Sequence, residues 1–331
     1  MTTTPTETVP ASAVRGARLR EILRQPLLGP LAALLIAVVV FSFATDNFLS
    51  TGNLSLLLQQ SVVIGILAVG QTLIILTGGI DLSIGAVAIL GTLVMAKVGA
   101  ENGPVVGLLA TVVVCVAAGS VNGLLVSVLR LPPFIVTLGT FTVFFAATQL
   151  YAGSQTYAAI DGIQTALGET LDLGIFRTTY GVVAMLLVYV LVWYLLTQTA
   201  TGQHIYAVGG NPQAADLVGI KTRKTLFMVY ALAGLIAAAA AWAAMGRIPV
   251  ADPNAFQQAN LETITAVVIG GTSLFGGRGS VFGTLFGMLI VSVLRSGLTA
   301  AGVDALYQNI ATGILVIAAV TLDQIARRRA A

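Results

Sequence analysis

Charge, cysteine and histidine are all scarce in this chain of 331 residues: 9% of the side chains are charged, with one Cys and one His. About 25% of residues in a water-soluble domain are charged, so the composition excludes an ordinary soluble globule. A lone Cys excludes a disulfide framework, and Cys115, inside an apolar run, reads as a small buried hydrophobe. No G-x-x-x-x-G-K-[ST] phosphate loop occurs, so ATP hydrolysis is not expected of this chain. One His and one deep acid, Asp81, leave too little for a metal centre or an intramembrane carboxylate dyad; neither a metal site nor enzyme chemistry is expected. The net charge of +3 does not point to nucleic acid, because the basic residues sit at the termini and in short loops.

What is abundant is apolar: 57% of residues are hydrophobic and the mean hydropathy is +0.95. The expected solvent is therefore the lipid bilayer. Lipid offers the backbone no hydrogen bonds, and the alternation of a barrel is absent, so the fold class is an all-α integral membrane protein. Ten spans are read: Pro26–Thr45, Leu54–Thr77, Ser83–Ala96, Val105–Leu129, Phe134–Tyr151, Tyr180–Gln198, Thr225–Met245, Thr263–Phe275, Val281–Leu294 with some extension, and Leu306–Leu322. The third, eighth and ninth fall short of the roughly 20 residues that cross the hydrocarbon core.

Lys and Arg near span ends favour the cytoplasm. Arg15, Arg18, Arg20 and Arg24 precede the first span, and Arg327, Arg328 and Arg329 follow the last, so both termini are expected inside and the number of spans even. With ten, Arg130, the Lys221, Arg223 and Lys224 group and Arg278 also fall inside. The segment 152–179, with Asp161, Glu169 and Asp172 against Arg177, falls outside. The expected layout is a basic tail over 1–25, a transmembrane domain over 26–323 with a cytoplasmic loop at 199–224, and a basic tail over 324–331. Ser42 and Ala44 loosely resemble a signal-peptidase site, but the long polar leader and the nine later spans make the first span an anchor.

Two glycine clusters interrupt the helices. In the first, from Gly78 to Gly85, adjacent glycines cost about 2 kcal/mol of helix propensity, so the helix stops there. Asp81 then suits an N-cap of the next helix, with Ser83 beside it, or a place in a solute pathway or its gate. The second cluster, Gly270 to Ser280, aligns on the first without gaps, pairing Gly78 and Gly79 with Gly270 and Gly271; an internal repeat and shared helix-breaking chemistry both account for that. Polar residues within the spans are uncharged: Gln59, Gln60, Gln71, Asn122, Thr137, Thr140, Gln149, Gln308 and Asn309. They suit either interhelical bonds or a cavity for a polar neutral solute. His204 reads as a polar residue near the headgroups.

Between the sixth and seventh spans, Asn211 is a good N-cap, Pro212 suits the first helical position and Gly219 suits the close. A helix of about two turns is written there, too short to stand without a docking surface. Gln213, Ala214 and Ala215, three residues before Gly219, resemble the EAA-x-x-x-G coupling signature of bacterial ATP-binding-cassette importer permeases, with Gln213 in place of the usual Glu. Three more runs, Gly78 to Gly85, Leu131 to Gly139 (which includes Phe134 and Thr137) and Val268 to Leu274, resemble the ribose, xylose and galactose permeases of the branched-chain amino-acid and sugar permease family.

The resemblance implies a fold of about ten helices, several broken or short, similar to the cobalamin importer permease. It implies a homodimer, a cytosolic ATPase that uses ATP and Mg and docks around Ala214 and Ala215, an extracytoplasmic sugar-binding protein, and residence in the bacterial plasma membrane. Asp81, Ser83, Gln71, Asn122, Phe134 and Thr137 are the expected pathway or gate residues; Asn211, Pro212, Gln213, Ala214, Ala215 and Gly219 are the expected coupling residues. An ion-coupled secondary transporter of a small polar solute is the alternative.

Overall fold

A computed structural model describes residues 28–328 except 46, 154, 173 and 175. The basic residues Arg15, Arg18, Arg20, Arg24 and Arg329, and with them the tail over 1–25, lie outside the described residues, as do the side chains of Arg327 and Arg328. The helices, in order, are α1 (Leu28–Ala44), α2 (Thr51–Leu76), α3 (Ile84–Asn102), α4 (Pro104–Ser127), α5 (Pro133–Ala152), α6 (Tyr180–Gln198), α7 (Ala200–Gly210), α8 (Pro212–Leu217), α9 (Thr222–Arg247), α10 (Ala259–Ile269), α11 (Val281–Ala300) and α12 (Ala305–Arg328).

Among the described residues seven helices, α2 to α6, α9 and α11, are long and apolar enough to cross a membrane; α1, α10 and the Ala305–Thr321 part of α12 are shorter apolar stretches. Each expected span thus coincides with a helix among the described residues. The third span is longer than expected, at 19 residues, and the ninth extends beyond Leu294 as expected, to 20. The eighth is shorter and shifted, ending at Ile269 rather than Phe275, because Gly271, Gly276, Gly277 and Gly279 all take positive φ and cannot continue a helix.

Among the described residues strands are confined to the segment 157–179 and to 250–251. β1 (Tyr157–Ala158) pairs antiparallel with β4 (Val250–Ala251), and β2 (Thr170–Asp172) with β3 (Arg177–Thr179). Asp172 bonds Arg177 at 3.1 Å, and the Gly174 amide, then Arg177, hold its carboxyl below the ordinary range. The buried Gln164 side chain fastens this segment to α3 by donating to Met95 O at 3.0 Å.

α2, about 39 Å long at 1.5 Å per residue, is the central post, buried almost without interruption from Ser61 to Leu76. Beside it α4 and α9 meet through small residues. A Cβ on Gly119 would lie 2.4 Å from Tyr230 O, and one on Gly234 would lie 2.3 Å from Cys115 O. Cys115, Gly119 and Gly123 recur every fourth residue on α4, the spacing that lets two membrane helices touch backbone to backbone. The outer faces of α4, α5 and α6 expose Val113, Ile135, Val143, Leu150, Leu187 and Leu191, as a helix facing lipid should.

Candidate functional site

Residues 77–83 form the first break. α2 closes on Gly78, at φ 81°, and Gly79 N–H donates back to Ile74 O at 3.1 Å. Asp81, buried at 3% exposure, accepts at Oδ1 from Ser83 N–H at 2.6 Å and from Ser83 Oγ at 2.7 Å. By position the N-cap is Ser83, two residues later than expected, because the acidic side chain folds forward over a tight turn before α3 begins.

Three other helices grip this turn. From α4, Asn122 Nδ2 donates to Ser83 Oγ at 2.7 Å, so a line of bonds runs Asn122, Ser83, Asp81. From α5, Thr137 Oγ1 donates to Ile80 O at 2.9 Å. From α2, the fully buried Gln71 amide, its oxygen and nitrogen assigned by the partners they face, pairs with the Asp81 main chain, donating to Asp81 O at 3.0 Å and accepting from Asp81 N–H at 3.2 Å. A side chain that satisfies a peptide's donor and acceptor together fixes backbone where no helix does. Five of the six expected pathway residues therefore converge on one turn. Phe134 stands apart, 51% exposed on the outer face of α5. Most other polar residues of the spans join neighbours: Gln59 donates to Ser55, Gln149 to Asn254 and Gln308 to Val303 O.

The second break, residues 270–280, closes in the same way. Gly271 is at φ 83°, and Thr272 N–H donates to Val267 O, five residues back, as Gly79 does to Ile74. Equivalent closures pair Gly78 with Gly271, one residue off the gapless alignment. The segments between helices are seven and eleven residues long, 77–83 against 270–280. Helix-closing chemistry thus accounts for the likeness, and the gapless repeat is not kept.

The two breaks meet. Gly277 N–H donates to Leu76 O, the last carbonyl of α2, at 2.9 Å. The end of α7 fills the remaining side: a Cβ on Gly209 would lie 1.8 Å from Leu76 O and 2.7 Å from Gly277 N, and one on Gly276 would lie 2.8 Å from both Gly209 O and Gly78 N. Three chain segments thus touch through backbone atoms, which only glycine permits at these separations.

From that junction the chain runs directly into α8. Asn211 Oδ1 accepts from Ala214 N–H at 3.0 Å, Pro212 occupies the first turn, and Gly219, at φ 87°, closes the helix with Ile220 N–H donating to Ala215 O at 3.0 Å. Asp216 accepts from Thr222 Oγ1, tying α8 to the start of α9. Gln213 and Ala214 are exposed, but Ala215 is 3% exposed and packs inward. The exposed apolar surface is instead Leu217 and Val218, at 89% and 76%, which sequence reasoning passed over.

A cavity of about 490 Å³ lies at the other end of α9, around Arg247. Gln60, Gln258, Glu262, Arg295 and Asn309 also line it. Arg295 Nη2 pairs with Glu262 Oε1 at 2.7 Å and reaches Gln258 Oε1 and Asn309 Oδ1 at 3.4 Å. Asp81 is therefore not the single deep acid: Glu262 is a second buried carboxylate, matched by a cation from α11. Among the described residues no cluster of three His, Cys, Asp or Glu could hold a metal ion.

Residues 53–320 match the family model described as branched-chain amino acid transport system / permease component. The chain belongs to that family. This permease-family chain is similar to the fructose import permease protein FrcC of Rhizobium meliloti, 43% identical over 92% of this chain and 87% of that protein. It is also similar to the ribose import permease protein RbsC of Bacillus subtilis (strain 168), 39% identical over 90% and 92%, and to the galactose/methyl galactoside import permease protein MglC of Escherichia coli (strain K12), 35% identical over 90% and 94%. No solved structure matches it. Family membership and the apolar helices together make it a multi-pass membrane permease.

Proposed function

We propose that this chain is the transmembrane subunit of an ATP-binding-cassette importer for a monosaccharide, seated in the bacterial plasma membrane with both termini cytoplasmic. It works as a homodimer with a cytosolic ATPase, which consumes ATP and Mg, and with an extracytoplasmic sugar-binding protein. The observation that carries this reading is the capped helix α8. It ends in exposed Leu217 and Val218, and Gly209, at the end of α7 just before it, is wedged against both helix breaks. A partner pressing on α8 therefore pushes on backbone that leads straight to the turn around Asp81.

The sugar-permease relatives support the solute class. Their names carry fructose, ribose and galactose, so the sugar is taken from that set rather than xylose. Asp81, Ser83, Gln71, Asn122 and Thr137 form the lock of the gate in this reading, and Asn211, Pro212, Gln213, Ala214, Ala215 and Gly219 build the coupling element. The likeness to the cobalamin importer permease rests on sequence resemblance alone. No observation favours the ion-coupled carrier.

Uptake into vesicles carrying the assembled transporter is the test. Uptake that requires internal ATP and the binding protein is expected; uptake that needs neither and collapses with an ionophore refutes the importer reading.

A further inference from the structure

The cavity around Arg247 lies at the opposite end of α9 from the coupling helix, about 39 Å along a helix of 26 residues. Its lining has an uncommon mixture for a protein with 9% charged residues. Glu262 and Arg295 form an ion pair, Arg295 Nε is left without a hydrogen-bond partner, and the Arg247 side chain makes no ion pair or hydrogen bond among the described residues. The carboxamides of Gln60, Gln258 and Asn309 add further donors and acceptors. Apolar Leu57, Val63 and Met288 complete the walls.

The floor is shared with the helix break. Asn260 Oδ1 accepts from Gly85 N–H at 3.0 Å, and a Cβ on Gly85 would lie 3.2 Å from Ala259 Cβ. Both Phe256 and Ala259 line the cavity, and Phe256 sits at φ 52°, a conformation disfavoured for a bulky residue. A solute in the cavity would thus rest on residues that touch the first turn of α3, just beyond Asp81.

We propose that this cavity is an outward-facing vestibule that receives a single neutral monosaccharide, held by hydrogen bonds from Gln60, Gln258, Asn309 and the Glu262–Arg295 pair. Its volume is within the range of about 300–1,000 Å³ typical of small-molecule sites. A partly satisfied guanidinium, a carboxylate and carboxamides together offer both donors and acceptors, which is what a ring of hydroxyls requires. The proposal rests on the importer reading, which sets the outward side.

The test uses the assembled transporter in proteoliposomes, with radiolabelled fructose, ribose and galactose as probes. Gln60 and Gln258 are exposed and line the cavity, so their replacement removes no buried packing. Gln60→Leu and Gln258→Leu are each expected to lower uptake about tenfold, the equivalent of one lost hydrogen bond. ATPase activity stimulated by the liganded binding protein should stay near its starting level. Unchanged uptake, or uptake and ATPase activity falling in parallel, overturns the proposal.

Labelling of Gln258→Cys in intact cells by a membrane-impermeant thiol reagent is the second measurement, with the fully buried Cys115 giving no background. Labelling from outside is expected, and its absence overturns the vestibule even where uptake is normal. A wild-type assembly that shows no ATP-dependent uptake refutes the importer reading instead, while labelling still decides whether the cavity opens outward.

Discussion

Two neighbouring glycines, Gly209 and Gly210, separate the close packing of the junction from the general chemistry of a helix end. Adding a methyl group at Gly209 sets it 1.8 Å from Leu76 O and 2.7 Å from Gly277 N, both backbone atoms that no rotamer change can move aside. At Gly210 the same methyl meets nothing within 4 Å. Replacing Gly by Ala within a helix gains about 1 kcal/mol. At Gly209 this is opposed by overpacking of about 1–3 kcal/mol and by loss of the Gly277 to Leu76 hydrogen bond, about 1 kcal/mol. The net expectation is a loss of about 1–3 kcal/mol for Gly209→Ala and none for Gly210→Ala. Thermal denaturation of the detergent-solubilised protein measures it, at about 2–4 °C or less per kcal/mol for a chain of this size. Gly209→Ala should denature several degrees below wild type and Gly210→Ala at or above it. A Gly209→Ala protein as stable as Gly210→Ala would show that the three segments are not in contact, and the link from α8 to the helix breaks would be lost with it.

Gln71→Leu removes two hydrogen bonds and strands a buried peptide donor and acceptor, each costing about 1–3 kcal/mol; folded protein recovered from membranes should fall sharply, and a normal yield would dismiss the clamp. Asp81→Asn keeps an acceptor for Ser83, so uptake should fall more than protein level; equal losses would leave Asp81 a turn-former and nothing else. Leu217→Asp and Val218→Asp alter exposed side chains, so the fold should change by no more than about 0.5 kcal/mol while co-purification of the ATPase is lost; retained association would move the docking surface off α8. Gly219→Pro removes an amide that donates to Asp216 O at 3.0 Å and forbids the φ of 87°, so it should abolish uptake while the protein still inserts, as judged by extraction from membranes.

Features written in consecutive residues were the most legible. Asn211, Pro212 and Gly219 announce α8 by capping chemistry that acts over three or four residues, and the α2 break follows from Gly78 and Gly79 alone. Partners across the fold were not. Gln71 reads as any interhelical amide until α2 and the turn are seen face to face, since nothing local aims it at the Asp81 peptide. Glu262 and Arg295 lie 33 residues apart, 295 less 262, in separate helices. The available signal was an acid just before one short span and a base just after the residues assigned to the next, both at the same membrane level. Ala215 was placed on the docking face because the signature is read as a string. A helix turns 100° per residue, and that rotation carries Ala215 inward and Leu217 outward.

The seam between α4 and α9 limits how the protein can move. With Gly119 against Tyr230 O and Gly234 against Cys115 O, either helix could slide only by driving main chain through main chain, so the two travel as one pillar. Any rearrangement of the permease must then leave that pillar whole and move other elements around it.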